Sequence, residues 1–383
     1  MARSEEETQG GEASAHYANY GNIERARAFA EFLNRHRGER HLVVMQDFPD
    51  PDAISSALAY RMLARTADIT TDIAYEGRVS HQENLALVNL LDIELTRVTD
   101  TFPLKEYDGA VYIDNQGTTT RLTDRLAVAG VPALAVLDHH AHQGLISPEF
   151  SDIRAVGAAA TILVDYIQSG EIVELDPTQE DHVRLATALV HGLRSETSGF
   201  IRAGAEEYMA GAFLSRFIDV QLLESILRVQ RSRGTMEVIR AALTDRTVRG
   251  GFSLAGVGYL RHADRDAVPQ AAEFLLSEEN VHTAIVYGIL LGEGEREVVV
   301  GSVRTSKLTL DVDEFLKTAL GSDFRGRYYG GGRNRAGGFE IPTGFLEGNV
   351  DEDQMQLKWD AFNRQIRAKL LSAVGLANTE GEA

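Results

Sequence analysis

The sequence predicts an α/β protein with a parallel-sheet N-terminal domain that has helices on both faces, a helical linker and a smaller α/β C-terminal domain. Two observations favour this class. Short apolar runs rich in β-branched residues alternate with helical patterns in the first half of the chain, which is typical of parallel sheets. A second group of strand-like runs follows in the last third. With 383 residues, the chain is long enough for two or three domains.

The first strands are short apolar runs, each separated from the next by a polar or helical segment. They are predicted at His41–Met45, Thr71–Tyr75, Ala110–Ile113 and Ala133–Leu137. The helices of this domain are predicted at Ala53–Arg65, His81–Leu91, Ala158–Gln168 and Thr178–Gly192. In a parallel sheet, functional residues lie on the loops that leave the carboxyl ends of the strands.

The domain boundaries follow from these elements. We place the parallel-sheet domain at residues 19–204, the helical linker at 205–248 and the C-terminal domain at 249–376. The second domain is predicted from three strands and a closing helix, namely Phe252–Tyr259, Thr283–Leu291, Glu297–Val303 and Asp351–Val374. The polar ends, residues 1–18 and 377–383, have the composition of disordered termini.

The composition restricts the partners and the chemistry. The formal charge of −19 argues against binding long duplex DNA, whose phosphates need a cationic surface. Because the chain lacks cysteine, a metal would have to be held by His, Asp or Glu. No apolar stretch reaches the ~18 to 20 residues of a membrane span, and the acidic start lacks the features of a signal peptide. We therefore expect a cytoplasmic protein without a membrane partner.

Three carboxylates follow the first strand in the loop Gln46–Asp52, directly before a predicted helix. Like charges at this spacing raise one another's pKa unless a cation neutralises them, so a divalent metal would explain the cluster. The alternative is an Asp cap on the following helix, combined with a proline turn. This alternative accounts for Asp52 but leaves Asp50 without a role, and the loop by itself leaves both explanations open.

Two more strands end in residues that can bind metals. Asp114 follows the third strand, although an Asp in this place often only starts a turn. Asp138, His139 and His140 follow the fourth strand, where the carboxylate could fix the tautomer of a histidine ligand. Taken singly, these histidines could be polar loop residues. Because the three loops leave one edge of the sheet, they together predict a site for Mn²⁺ or Mg²⁺, in which a shared Asp could bridge two ions.

A glycine-rich segment in the second domain is a candidate anion site. Backbone N–H groups of Gly330, Gly331 and Gly332 could approach an anion closely, and Arg333 would add a bidentate donor. A flexible glycine turn beside a solvated arginine is the alternative. The segment lacks the G-x-G-x-x-G spacing of dinucleotide-binding folds, so an oxidoreductase is set aside.

These motifs resemble, in order and spacing, those of the DHH phosphoesterases. The matches in the first domain are Asp50-Pro51-Asp52, Asp114, Asp138-His139-His140 and Gly192-Leu193-Arg194-Ser195-Glu196-Thr197. The second domain resembles the associated C-terminal domain of that family in residues 301–306 and 330–339. The resemblance covers residues 41–342, and six motifs in the right order argue against a chance match.

The resemblance implies a Mn²⁺-dependent hydrolase with two ions, Mg²⁺ being the alternative, and a bridging hydroxide that attacks phosphorus. It implies that Asp50 binds one ion, that Asp52 and His139 bind the other, and that Asp114 bridges both. Glu196 would take the last ligand position, His140 would contact the substrate phosphate, and Asp138 would orient the histidines. In the second domain, the resemblance assigns substrate binding to Arg304, Ser306, Gly330, Gly331, Gly332 and Arg333.

The chain departs from the family pattern at three positions. Gln46 stands where most members have a metal-binding His, and an amide oxygen is a weaker ligand for a transition metal. Glu196 replaces the usual Asp, and Arg333 replaces the His of the nanoRNase branch. We expect either weaker binding of the first ion or compensation by Asp47.

The expected substrates are short phosphorylated nucleotides, namely nanoRNA, pApA-type dinucleotides or a 3′,5′-bisphosphorylated nucleotide. The acidic composition favours such small ligands over long nucleic acids. Three alternatives stay open: a RecJ-like single-strand exonuclease, a pyrophosphatase, and a nucleotide-binding regulator with a degenerate metal site. Gln46 and Glu196 are the residues that favour the regulator. The resemblance also suggests a homodimer.

Overall fold

A computed structural model describes residues 22–79, 82–228, 231–291, 296–333, 335–348 and 351–376. The chain divides into two compact units, the first ending at residue 229 and the second starting at residue 230. The ends predicted to be disordered, 1–18 and 377–383, lie outside the described residues, as does His81 at the start of a predicted helix. Within the described ranges, no helix is long and apolar enough to cross a membrane.

The first unit contains a six-stranded parallel sheet. Its strands are β1 Arg40–Val44, β2 Thr70–Tyr75, β3 Thr96–Arg97, β4 Gly109–Ile113, β5 Ala133–Asp138 and β6 Phe150–Ile153. They lie in the order β3-β2-β1-β4-β5-β6, and all neighbours are parallel. The strand order reverses between β1 and β4, because the chain first builds the sheet on one side of β1 and then on the other. Open α/β sheets bind ligands at the carboxyl ends of the strands at such a point.

Helices of the first unit pack against this sheet, and some of their aromatic residues are buried in its core. They are α1 Ile23–Arg35, α2 Pro51–Arg65, α3 Gln82–Leu90, α4 Leu122–Ala129, α5 Ala159–Gln168, α6 Glu180–Glu196, α7 Ala205–Leu214 and α8 Val220–Leu227. Phe29 of α1 stacks on Tyr166 of α5 with ring centroids 4.5 Å apart, and both side chains are fully buried. This contact fixes α5, which carries part of the site described below.

The second unit is built on a mixed sheet. Its strands are β7 Thr247–Arg249, β8 Phe252–Leu260, β9 Thr283–Leu290, β10 Val298–Thr305, β11 Gly330–Arg333 and β12 Ala336–Pro342, and its helices are α9 Arg233–Asp245, α10 Ala267–Leu276, α11 Val312–Leu320 and α12 Glu352–Ala373. The order is β11-β12-β10-β9-β8-β7, with β8 and β9 parallel and the other pairs antiparallel. The predicted α/β class, with a parallel sheet first and a smaller α/β unit second, is confirmed.

The segment expected as a helical linker, residues 205–248, forms parts of both units. Leu214 of α7 and Ile226 of α8 are buried in the core of the first unit. Val238 and Ile239 of α9 are buried in the core of the second. Each helix has an apolar face, and burying that face against a core is more favourable than leaving it exposed in a free linker.

The glycine-rich segment, a candidate anion site, is the edge strand β11 and not the flexible turn of the alternative. It pairs antiparallel with β12. Glycines of β11 and β12 allow the sheet to approach α11 closely, since a Cβ on Gly332 of β11 would lie 2.8 Å from Cγ1 of Val312 and one on Gly337 of β12 would lie 2.4 Å from it. Close packing of helix on strand therefore accounts for much of this run of small residues.

Candidate metal centre

Apart from Glu196, the predicted site residues of the first unit lie at or just after the carboxyl ends of β1, β4 and β5, where the strand order reverses. Asn115 ties two of these strands together. Its buried side-chain amide donates to the carbonyl oxygens of Val44 (3.0 Å) and Ile113 (2.9 Å). Because this amide joins the ends of β1 and β4, it fixes the spacing of the loops that carry the carboxylates.

Asp50 and Asp52 lie at the start of α2, and the structure corrects the capping alternative. The cap is Asp50, whose Oδ1 accepts the backbone N–H of Ala53 at 2.9 Å. Asp52 does not cap its own helix. Its carboxylate is only 1% exposed and accepts the backbone N–H groups of Ala159 (2.7 Å) and Ala160 (2.8 Å). These groups belong to the first turn of α5, where the helix dipole favours a negative charge.

Asp114 is positioned by its backbone. Its φ is +57°, a left-handed conformation that Asp and Asn adopt more readily than most residues. Its N–H donates to the carbonyl oxygen of Leu137 at 2.9 Å, which links the turn after β4 to β5. The side chain is buried, and its Oδ1 has no hydrogen-bond partner among the described residues. A buried acceptor in this state costs free energy, so a proton or a cation is needed there.

The triplet at the end of β5 combines an orienting carboxylate with two imidazoles. Oδ1 of the buried Asp138 accepts the N–H of His139 (2.9 Å) and lies 2.8 Å from Nδ1 of His140. Nδ1 of His139 lies 3.2 Å from the carbonyl oxygen of Val156, which can only accept, so the ring carries its proton there. Nε2 of His139 thus presents a lone pair 3.3 Å from Oδ1 of Asp114, and the described part of the chain gives it no hydrogen-bond partner.

The acidic groups of the site differ in pKa. Burial, and after it the charge of Asp50, raises the pKa of Asp52 to about 7. Burial and the charges of Asp52 and Asp50 raise the pKa of Asp114 well above its ordinary value. Burial acts in the same direction on Asp138, but its hydrogen bonds, above all that from His140, lower its pKa by more. The same hydrogen bond raises the pKa of His140. Two buried acids that resist ionisation therefore lie beside one that ionises readily.

These observations fit a divalent cation. The donor atoms of Asp114, His139 and His140 lie within 4.8 Å of one another, and Nε2 of His139 is 3.8 Å from Oδ2 of Asp52. A cation beside Asp114 and His139 would satisfy both unpartnered acceptors and would lower the pKa of the neighbouring acids. Carboxylate oxygen together with imidazole nitrogen suits Mn²⁺ or Mg²⁺. The structure thus brings together Asp52, Asp114, His139 and His140.

In the second unit, part of the predicted substrate-binding set lies along a groove of about 670 Å³. Arg304, Gly330 and Gly331 are among the residues that line it. Two arginines and two tyrosines face it, namely Arg265, Arg304, Tyr328 and Tyr329. Both arginines have carboxylate partners, since Nε of Arg304 lies 3.0 Å from Glu273 and Arg265 pairs with Glu340.

The other predicted residues of the second unit lie elsewhere. Ser306, Gly332 and Arg333 do not line this groove within the described ranges. The backbone N–H of Ser306 donates to the carbonyl oxygen of His282 at 2.8 Å, and the N–H of Gly332 donates to Oδ1 of Asp313 at 3.2 Å. Arg333 is exposed at the end of β11.

Sequence comparison finds two kinds of relative. The chain is 34% identical over 342 residues to an uncharacterised protein of Methanocaldococcus jannaschii, a match that covers 88% of this chain and 65% of that protein. It is 31% identical over 127 residues to a probable manganese-dependent inorganic pyrophosphatase of Bacillus cereus, covering 33% of this chain and 40% of that protein. The chain therefore spans less than two thirds of the length of these relatives. No known family model matches it.

Comparison with solved structures identifies the fold. An exopolyphosphatase-related protein from Bacteroides fragilis matches with a TM-score of 0.62 at 16% identity, over 91% of this chain and 99% of that protein. The chain has the fold of the DHH family. The DHH triplet of this chain follows the fifth strand of the sheet, beside the strand-order reversal.

Among the described residues, three carboxylates assigned as metal ligands through the resemblance lie outside the group of close donor atoms, namely Asp50, Asp52 and Glu196, although Asp52 comes within 3.8 Å of His139. Glu196 is the last residue of α6 and is exposed as a whole. Partial burial of its carboxyl group and the charge of Asp50 nevertheless raise its pKa. Gln46 is half-buried after β1. The carboxylate of Asp47, which could compensate for Gln46, accepts a hydrogen bond from Nε of Arg121 at 3.0 Å.

Gln116 is a residue of this site that sequence reasoning missed. It is buried, and its Nε2 donates to Asp138 (2.6 Å) and to the carbonyl oxygen of Ala141 (3.1 Å). Its Oε1 accepts the N–H of Gln143 at 2.8 Å. The side chain thus links the loop after β4 to the triplet. The sequence signal for Gln116 was its position two residues after Asp114. That position does not distinguish it from an ordinary polar turn residue.

Gly192, from the segment that resembles a DHH motif and contains Glu196, packs α6 against the start of α2. A Cβ here would lie 2.3 Å from Oγ of Ser55 and 3.3 Å from Cα of Asp52. We expect Gly192→Ala to lower the free energy of unfolding by about 1–3 kcal/mol. It should also weaken Mn²⁺ binding, since the start of α2 has to shift. Thermal denaturation and Mn²⁺ titration measure the two effects.

A matched control for that substitution is Gly211→Ala on α7, where the added Cβ would lie no closer than 3.3 Å to the ring of Phe200. This variant should bind Mn²⁺ as the wild type does. Undiminished Mn²⁺ affinity in a destabilised Gly192→Ala protein would contradict the expected shift of Asp52.

Proposed function

We propose that the chain is a metal-dependent phosphoesterase that hydrolyses short phosphorylated nucleotides. The observation that carries this proposal is the pair of buried, unpartnered acceptors, Oδ1 of Asp114 and Nε2 of His139, beside the buried Asp52. Mn²⁺ is the expected metal, and the pyrophosphatase relative, whose name states manganese dependence, supports this choice. A bound divalent ion lowers the pKa of water and stabilises the charge that develops on a phosphoryl group.

The chain's own residues can bind and orient a phosphate next to that ion. The side chain of His140 is half exposed, and its Nδ1 lies 2.8 Å from Asp138. Because this hydrogen bond raises the pKa of His140, the ring carries a positive charge over a wider pH range. Its Nε2–H is then available to donate to a phosphate oxygen, while Asp138 keeps the ring in one orientation.

The groove of the second unit supports a nucleotide rather than a bare phosphate as the substrate. Its volume of about 670 Å³ suits a small ligand. Arg265 and Arg304 offer guanidinium groups for phosphate, and the exposed Tyr328 offers a ring on which a base could stack. Arg304 would exchange Glu273 for the phosphate, as guanidinium groups bind both anions in the same way.

Arg304→Ala should weaken substrate binding while leaving the metal site intact. A hydrogen bond to a charged group contributes ~1.5–3 kcal/mol, so KM for a nucleotide substrate should rise by about 10- to 100-fold. The change in kcat should be small. Steady-state kinetics measure both, with Arg364→Ala, an exposed arginine of α12, as the control. An unchanged KM would refute the assignment of the groove to the substrate.

The experiment that tests the function is an assay of the purified protein with Mn²⁺ against four substrates. These are pApA, short oligoribonucleotides, adenosine 3′,5′-bisphosphate and inorganic pyrophosphate. Asp114→Asn serves as the inactive control. Turnover of a nucleotide by the wild type alone supports the proposal. Binding of a nucleotide without any turnover would overturn it in favour of a regulator.

Pyrophosphate is the second candidate substrate. One observation favours it, namely the 31% identity over 127 residues to a probable manganese-dependent inorganic pyrophosphatase. A pyrophosphatase has no need of a ring on which a base could stack. Turnover of pyrophosphate without turnover of any nucleotide would therefore favour this candidate.

A further inference from the structure

We propose that Glu207, a residue of α7, is a positioning residue for the metal ligands. The inference rests on the proposed function and concerns a segment that we name the strap, residues 156–161. The strap consists of the last three residues before α5 and the first three residues of α5. Glu207 holds the strap, and the strap in turn holds two of the proposed ligands, His139 and Asp52.

The carboxylate of Glu207 is buried and receives three donors. Its Oε1 accepts the backbone N–H of Gly157 at 2.8 Å and the hydroxyl of Thr161 at 3.0 Å. Its Oε2 accepts the backbone N–H of Gly204 at 2.7 Å, at the start of its own helix. The side chain is 2% exposed. Two of its three partners therefore belong to the strap, one near each end.

The strap contacts the site through three backbone groups, one directly before Gly157 and two between Gly157 and Thr161. The carbonyl oxygen of Val156 accepts Nδ1 of His139 at 3.2 Å and so sets the tautomer that leaves Nε2 free for a metal. The N–H groups of Ala159 and Ala160 hold both carboxylate oxygens of Asp52, at 2.7 and 2.8 Å. One short segment thus orients a histidine and a carboxylate that come from different loops.

The N-terminus of α5 depends on distant residues for its capping. Its N-cap is Ala158, whose methyl side chain cannot accept a hydrogen bond from the first turn. The start of a helix leaves backbone N–H groups without helical partners. Here the carboxylate of Asp52 accepts the N–H groups of Ala159 and Ala160, and that of Glu207 accepts the N–H of Gly157 just before the helix. A shift of Glu207 would therefore change the position of the groups that hold Asp52.

The carboxylate and the strap are also in steric contact. A Cβ on Gly157 would lie 2.7 Å from Cδ of Glu207. Gly157→Ala would therefore displace the carboxylate without removing its charge. This substitution offers a test that is independent of replacing Glu207 itself.

The first test compares Mn²⁺ binding by the wild type and by Glu207→Gln. In the variant the amide oxygen can still accept hydrogen bonds. The amide nitrogen is a donor, so the N–H or hydroxyl groups that faced the replaced carboxylate oxygen lose their acceptor. Removing a group that orients a metal ligand typically weakens metal binding by about 10- to 100-fold, and we expect a change in this range. Isothermal titration of the metal-free protein with MnCl₂ measures it without reference to catalysis.

The matched control is Asp72→Asn. It also removes the charge of a carboxylate in the first unit that accepts three hydrogen bonds. Asp72 lies in the first half of β2 and accepts Nε and Nη2 of Arg40 and the hydroxyl of Tyr107. It should destabilise the metal-free protein without changing its Mn²⁺ affinity. A purely structural role for Glu207 predicts that both variants behave as this control does.

Gly157→Ala should weaken Mn²⁺ binding as Glu207→Gln does. If the wild type binds Mn²⁺ and both variants bind it within twofold of the wild type, the inference is overturned while the proposed function stands. If the wild type itself fails to bind Mn²⁺, the proposed function fails and this inference fails with it. Weaker binding in both variants, with an unchanged Asp72→Asn control, supports the positioning role.

Discussion

Asp114→Asn is expected to abolish Mn²⁺ binding and to reduce turnover by about a thousandfold or more, because it removes the proposed bridging carboxylate. Asparagine is the appropriate replacement, since it tolerates the left-handed backbone at this position, where φ is +57°. Alanine would add backbone strain to the loss of the ligand. Mn²⁺ titration and steady-state assays of the two proteins measure the effect.

The same substitution should make the metal-free protein more stable. Burial raises the pKa of Asp114, and its Oδ1 lacks a hydrogen-bond partner among the described residues, so the carboxyl is costly without a cation. Replacing it by a neutral amide should raise the free energy of unfolding by about 1–3 kcal/mol at pH 8. Added Mn²⁺ should raise the melting temperature of the wild type alone. A metal-free variant that melts below the wild type would show that Asp114 serves a structural purpose instead.

The affinity for Mn²⁺ should rise steeply with pH up to about 7. The pKa of Asp52 is raised to about 7 by burial and by the charge of Asp50, so the proton must leave before the carboxylate can bind a cation. One released proton gives about a tenfold change in apparent affinity per pH unit, or about a hundredfold between pH 5 and pH 7. Above pH 7 the dependence on Asp52 should level off. Titrations in a series of buffers measure this profile.

The stability of the metal-free protein should change in the opposite direction. In the unfolded chain Asp52 has its ordinary pKa of 3.8, so between about pH 4 and pH 7 the folded state holds a proton that the unfolded state releases. Stability from this group is present at low pH and is lost as the pH rises to about 7. Asp52→Asn should remove this part of the dependence. An Mn²⁺ affinity that stays constant between pH 5 and pH 7 would contradict the assignment of Asp52 as a ligand.

The location of the first-unit site could be predicted from the sequence because it follows from the topology. Apolar runs mark the strands, and parallel pairing brings their carboxyl ends to one edge whatever the side-chain detail. Asp114 and the triplet after β5 were therefore identifiable as neighbours. The triplet's internal arrangement was also accessible, since a carboxylate beside a histidine commonly orients it.

Other features depend on contacts that the order of residues does not reveal. Whether Asp50 or Asp52 caps α2 depends on which carboxylate finds a second partner, and for Asp52 that partner is the start of α5, 107 residues away. Glu207 reaches Gly157 across 50 residues, in a segment where periodicity indicates only amphipathic helices. The glycines of β11 allow close packing against α11. In the sequence, such a run of glycines looks the same as an anion-binding turn.

Because of the reversal of strand order between β1 and β4, metal binding and the folding of the first unit are thermodynamically coupled. The proposed ligands come from both sides of that point, and the strap that orients two of them belongs to a third region, so the unfolded chain has no comparable site. A ligand at a hundred times its dissociation constant adds ~2.7 kcal/mol to the stability of the state that binds it. A chain deprived of metal would therefore open more often, and cellular proteases would remove it before its loaded counterpart.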